Sequence, residues 1–169
     1  MDNGPRGNAL AYLITFSSYG KWLPGQAGAI DRDRHAFGGP TMPESSALEQ
    51  SNRASMAQSD RVLSEDARLV TLEAIREVCH HKGWCPIAIH VRSDHVHIVA
   101  SAQCDPETMM VTFKRYASRA LNRRTAETRK WWGRHGSTCY LWTREDVNAA
   151  VRYVVEGQGQ LMACWMASA

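Results

Sequence analysis

No stretch of the 169-residue sequence stays apolar for anything near the roughly 20 residues that a membrane-spanning helix needs. The opening Met-Asp-Asn-Gly-Pro-Arg likewise lacks the apolar core of a signal peptide. Both absences lead to the expectation of a cytoplasmic protein with no membrane partner. The cysteines (Cys79, Cys85, Cys104, Cys139 and Cys164) are odd in number and never spaced C-x-x-C, which argues against a disulfide framework and against a zinc ribbon. Internal repeats and low-complexity tracts are missing too. What is present is ordinary for a globular chain, 44% hydrophobic and 22% charged residues, and the length suits one domain over residues 1–169.

Acidic residues are nearly absent from one stretch. Between Lys114 and Arg134, eight cationic side chains meet a single carboxylate, Glu127, although the whole chain carries only +3. Positive charge at this density attracts phosphates by releasing their counterions, and it is equally compatible with a solvated helix face.

Hydrophobic patterning predicts the elements. Ala9 to Ser17 reads as a central strand, apolar on both faces. It runs into Tyr19-Gly20-Lys21-Trp22-Leu23-Pro24-Gly25, and a polar, Gly-, Pro- and Ser-rich loop is expected over about 24–63. Ser64 caps a helix whose stripe is Leu69, Leu72, Ile75 and Cys79, and Gly83 ends it. Ile87, Ile89 and Val91, then Val96, Ile98 and Ala100, alternate as a hairpin. Asp105 and Pro106 open a second helix with Met110, Phe113, Ala117, Ala120 and Leu121 inside. Thr138 to Trp142 reads weakly as a strand. Thr143 and Asp146 begin a third helix, in which Val147, Ala150, Val151 and Val154 point one way. This order predicts an α+β fold: a ferredoxin-like antiparallel sheet with helices on one face, plus an extra C-terminal helix.

The chemistry-bearing pattern is His95-Val96-His97. Residues two apart on a strand share a face, so the two imidazoles stand together while Val96 faces the core; such a pair is half of a divalent-metal site. Nucleophilic attack on a phosphodiester requires a positioned group such as a phenol, with cations to offset the developing charge. Two helical tyrosines are available, Tyr116 and Tyr153. Glu156 and Gln158, just beyond Tyr153, are oxygen donors of the kind a hard cation takes. Trp131, Trp132 and Tyr140 read either as stacking surfaces for bases or as core. Cys79, His80, His81 and Cys85 make a remoter zinc candidate with atypical spacing.

Together, the His95-Val96-His97 strand, the helix from Phe113 to Asn122, the segment Val151-Arg152-Tyr153-Val154-Val155-Glu156-Gly157-Gln158 and the early Tyr19–Gly25 loop resemble the single-tyrosine HUH transposases, especially the REP-associated and IS200-like groups. The resemblance implies an enzyme that nicks and rejoins single-stranded DNA beside a hairpin, through a 5′-phosphotyrosine and a free 3′-hydroxyl. It implies Mg²⁺ or Mn²⁺ on His95 and His97, and Tyr153 on the extra helix as nucleophile. Lys114, Arg115, Arg119, Arg123 and Arg124 would hold the DNA, and the protein would be a homodimer. Relatives commonly carry a glutamine ligand four residues after the tyrosine, where this chain has Gly157. On a regular helix Gln158 would point about 140° away from Tyr153 and Glu156 would lie within about 60°. The third ligand is therefore Gln158, restored by a bulge at Gly157, or Glu156. The competing reading is a non-catalytic nucleic-acid-binding module derived from a transposase.

Overall fold

A computed structural model describes residues 9–20 and 62–168. Along them run β1 (Ala11–Ser18), α1 (Glu65–Lys82), β2 (Cys85–Val91), β3 (His95–Ser101), α2 (Pro106–Thr125), β4 (Trp132–Leu141), α3 (Arg144–Val155) and β5 (Ala163–Met166). The strands form one antiparallel sheet in the order β4-β1-β3-β2-β5. The first four have the ferredoxin-like arrangement, and β5 extends it beyond β2. The loop expected over about 24–63 lies outside the described residues except for its last two, Val62, which is exposed, and Leu63, which is buried in the core. Of the Tyr19–Gly25 loop only Tyr19 and Gly20 are described.

Each face of the sheet has its own core. Tyr12, Ile14, Phe16, Ile89, Val91, Val96, Ile98 and Ala100 pack beneath α1 and α2. Ala11, Leu13, Ala88, Val99, Cys139 and Leu141 pack beneath Ala150 and Val154 of α3. The extra helix thus covers the face that the other two leave open, as the period-2 alternation of the strands requires.

Local signals account for the helix ends. Ser64 Oγ accepts from the Ala67 amide, and Gly83 closes α1 in the left-handed region at φ 68°. Asp105 caps α2, and Thr143 with Asp146 forms a reciprocal capping box on α3.

Several expectations are corrected. Leu69 is 50% exposed, because at 100° per residue it stands about 120° from Ile75, the centre of the buried stripe. In α2 the buried methionine is Met109, while Met110 and Ala120 are only partly covered. A bulge between Pro86 and Ala88 shifts the β2–β3 register, so Ile87 packs on the α3 side and Ile89 on the other. β4 begins six residues before Thr138, at Trp132. β5 has no counterpart in the predicted elements: its four residues do not alternate, and it is defined by pairing from Ala88↔Met166 to Val91↔Ala163.

Candidate active site

β3 presents His95 and His97 on the α3 side of the sheet, opposite Ser17 and Thr15 of β1. Both rings are buried, with centroids 4.6 Å apart. The outer nitrogen of each ring is held from behind. His95 Nδ1 lies 2.5 Å from Asp94 Oδ1, and His97 Nδ1 lies 2.8 Å from Thr15 Oγ1. The Nε2 atoms converge on Gln158 Oε1, at 3.4 Å from His95 and 3.0 Å from His97. Burial, aided by the neighbouring His95, pushes the His97 pKa down from 6.5 to about 3, so this ring is neutral at ordinary pH.

Tyr153 reaches the same place from α3. Its ring centroid is 5.4 Å from that of His97, at an interplanar angle of 74°, and the residue is 41% exposed. Its exposure follows from its position on the flank of the helix, beside the Val154 stripe. Tyr116 belongs to α2 on the opposite face of the sheet, where the Arg119 guanidinium lies over its ring.

Past Tyr153 the helix ends in a widened turn. The Glu156 amide donates to Arg152 O, whereas the Gly157 amide, one residue further, is shared between Arg152 O and Tyr153 O at 3.1 Å each. This extra residue in the turn carries Gln158 back over the histidines, and Gln158 Nε2 donates to Tyr153 O at 3.1 Å. Glu156 is exposed. The geometry therefore brings Gln158, and not Glu156, to the histidine pair.

The donor set suits a metal ion. Because the Asp94 carboxylate can only accept, it fixes the proton of a neutral His95 on Nδ1 and leaves a lone pair on Nε2. Gln158 spends its amide N–H on Tyr153 and turns its oxygen toward that lone pair. With the ring in that tautomer, His95 Nε2 and Gln158 Oε1 are two electron-pair donors 3.4 Å apart that one cation can bind together. Adjacent donors about 2.1 Å from a six-coordinate ion stand about 3.0 Å apart, close to the separations here. Among the described residues no three His, Cys, Asp or Glu side chains gather to hold a metal; the third donor is an amide oxygen. The zinc candidate fails on the same ground: Cys79 is fully buried with its thiol pushed up to about 12, while His80 and His81 are exposed.

The basic helix lies on the other face of the sheet. Arg115, Arg119 and Arg123 are exposed on α2. Lys114 Nζ donates to Gly133 O at 2.9 Å and His135 O at 3.0 Å, tying α2 to β4, and burial lowers its pKa to about 8. Arg124 forms a two-bond pair with Asp66 of α1. Trp131 and Trp132 are core residues rather than stacking surfaces: Trp132 packs edge-on against Phe16, and Trp131 donates to Asn122. Tyr140 is 42% exposed and stacks on Trp142.

Residues 55–151, more than half of the chain, match the family described as "Transposase IS200 like". The chain belongs to the IS200-like transposase family. The matched region includes β3 with its two histidines and the basic helix, and it stops two residues before Tyr153. The transposase is similar in fold to a REP-associated tyrosine transposase solved bound to a REP hairpin, with 12% identity over 93% of this chain and 72% of that one at a TM-score of 0.50. A structure assigned as a transposase from Deinococcus radiodurans R1 has 14% identity over 94% of this chain and 98% of that one, at a TM-score of 0.43. No curated protein matches the transposase. Among its described residues no helix is long and apolar enough to cross a membrane.

His90 was not singled out from the sequence. It is fully buried on β2, directly across from His97, and hydrogen-bonds to Val154 O of α3 and to the Met162 amide. A lone histidine in an apolar strand carries no signal that separates it from its neighbours.

Proposed function

We propose that this transposase nicks and rejoins single-stranded DNA beside a hairpin, with Tyr153 as nucleophile and with Mg²⁺ or Mn²⁺ held by His95, His97 and Gln158. The observation that carries this reading is the approach of the Tyr153 ring to within 5.4 Å of the His97 ring in the same chain, while Gln158 Oε1 sits on both Nε2 atoms.

In this mechanism the Tyr153 phenol oxygen bonds to phosphorus as the bond from phosphorus to the 3′ oxygen breaks. The phenol loses its proton to water, because its ordinary pKa is near 10, and the departing 3′ oxygen gains one. The products are a 5′-phosphotyrosine and a 3′-hydroxyl, and attack by a 3′-hydroxyl reverses the step and rejoins strands. When bound, the cation supplies positive charge to the non-bridging phosphate oxygens. Thr15 and Asp94 keep the two rings oriented, and the low pKa of His97 keeps it a neutral donor. The partial exposure of Tyr153 leaves its ring accessible to a strand.

Arg115, Arg119 and Arg123 are assigned to the DNA backbone. Lys114 and Arg124 belong to the same basic patch and brace it through β4 and α1. Because α2 and the histidines are on opposite faces of the sheet, DNA gripped by α2 has to pass around the sheet to be cut. The homodimer expected from the resemblance needs no exchange of helices to complete this site. The competing reading, a module that binds without cutting, would follow from loss of the third ligand; the contacts of Gln158 Oε1 with both Nε2 atoms favour the cutting enzyme.

The test is incubation with an oligonucleotide that carries a hairpin and single-stranded arms, followed by a denaturing gel. A covalent adduct is expected with Mn²⁺ or Mg²⁺, absent with EDTA and in Tyr153→Phe. Persistence of the adduct in Tyr153→Phe overturns the assignment of the nucleophile.

A further inference from the structure

Gln158 reaches the histidines from a segment, residues 156–162, that belongs to no helix or strand. What holds it is a set of contacts from β2. The His90 ring spans the two ends of the segment: Nδ1 is 2.8 Å from Val154 O, at the end of α3, and Nε2 accepts from the Met162 amide at 3.1 Å, just before β5. A single neutral tautomer satisfies both, with the proton on Nδ1. Two residues along, Arg92 Nη1 donates to Gln160 O at 2.8 Å, gripping the segment near its middle.

The consequence is mechanical. Gln158 is an exposed-segment residue whose amide oxygen has to be held at two imidazoles, and a donor displaced by an ångström no longer completes a cation site. The same tie fixes the carbonyl that follows Tyr153 in the chain. We propose that His90 is a positioning residue that clasps both ends of the Gln158 segment, with Arg92 as its outer support, and so sets both the third ligand and the end of the tyrosine helix. This inference rests on the proposed metal-dependent cleavage for its purpose, and on the two hydrogen bonds for its geometry.

The experiment uses the full chain with His90→Leu, which fills the site but can neither donate nor accept, and His90→Asn, which retains a donor near Nδ1. Two readouts are taken. The first is amide hydrogen exchange of Glu156 and Gly157 in metal-free protein; the second is Mn²⁺ affinity by titration. Faster exchange at both amides, with those of β1 and β3 unchanged, is expected together with an about 10- to 100-fold weaker Mn²⁺ affinity, the range seen when second-layer partners of ligands are lost. His90→Asn is expected to fall between His90→Leu and wild type. A residue that contributed only packing would change the melting temperature and leave the Mn²⁺ affinity of the folded protein unaltered.

Unchanged exchange at Glu156 and Gly157 in folded His90→Leu overturns the proposal. So does faster exchange with a Mn²⁺ affinity within twofold of wild type. If both His90 variants fail to fold, Arg92→Gln, at a half-buried position, is put through the same two measurements, and the same results support or overturn the clasp. If wild type itself binds no Mn²⁺, the metal reading falls, and exchange at Glu156 and Gly157 still decides whether His90 clasps the segment.

Discussion

Gly157 rests against the backbone of Tyr153, so closely that a Cβ at position 157 would stand 2.8 Å from the Tyr153 carbonyl oxygen and 3.1 Å from its Cα. Both contacts are with backbone, which cannot swing aside, so the turn that returns Gln158 to the histidines is available to glycine alone. Gly157→Ala is expected to open this turn, costing about 1–3 kcal/mol of stability by overpacking. It should weaken Mn²⁺ binding about tenfold or more by moving Gln158. Urea unfolding and a Mn²⁺ titration on the same variant check both; unchanged Mn²⁺ affinity would show that the turn does not serve the site.

The two oxygen donors beyond Tyr153 separate cleanly by substitution. Gln158→Ala removes the oxygen that sits on both Nε2 atoms and should lower Mn²⁺ affinity and the initial rate of adduct formation by roughly 10- to 100-fold. Glu156→Ala, at an exposed position, should change either by less than about twofold. The reverse ranking would return the ligand role to Glu156.

Why the sequence left these two open is physical. Angular spacing on an ideal helix favours Glu156, and that argument holds only while the helix continues. Here α3 ends at Val155, and one additional residue in the final turn reverses the preference. The faces on which the histidine pair and Tyr153 lie were legible, because strand and helix periods alone determine them. The bulge that turns Ile87 away from Ile89, the strand Ala163–Met166 and the role of His90 were not, because each depends on a partner strand distant in sequence. Trp131 and Trp132 show the same limit: composition offers aromatic rings, and only packing against Phe16 and Asn122 makes them core.

Acid should unfold the metal-free protein in a recognisable window. His97 is pushed from 6.5 to about 3 and His90 is also lowered, in both cases chiefly by burial. The unfolded chain therefore takes up more protons than the folded one once the pH falls below about 6.5. The stability contributed by keeping His97 neutral is fully present above 6.5, declines as the pH drops, and is gone below about 3. Its slope is at most about 1.4 kcal/mol per pH unit. Urea unfolding of the EDTA-treated protein at a series of pH values should show this decline, and His97→Gln should flatten it.

Salt dependence should separate the cations proposed to hold DNA from those that hold the fold. Each phosphate contact contributes about 0.7–0.9 to the slope of log affinity against log salt. Arg115→Ala, Arg119→Ala and Arg123→Ala should each reduce that slope by about one contact. Lys114→Gln should leave it unchanged and instead lower stability by about 1–3 kcal/mol, since Gly133 O and His135 O lose their shared donor. Equal slopes for Arg119→Ala and wild type would remove α2 from the binding surface.

The approach of Tyr153 to His97 within one chain predicts the outcome of a mixing experiment. Tyr153→Phe lacks the phenol and retains the histidines; His95→Ala has the opposite defect. If each chain builds its own site, a mixture of the two, allowed to exchange subunits, yields no more adduct on the hairpin oligonucleotide than either alone. If the tyrosine helix of one subunit serves the histidines of another, the mixture regains up to about a quarter of the wild-type sites, because half of the dimers are mixed and each holds one intact pairing. The hydrogen bond from the His90 ring to Val154 O ties the tyrosine helix to β2 of its own chain, and exchange would have to break it. No recovery is therefore expected, and recovered adduct in the mixture would show that the helix leaves that position in solution.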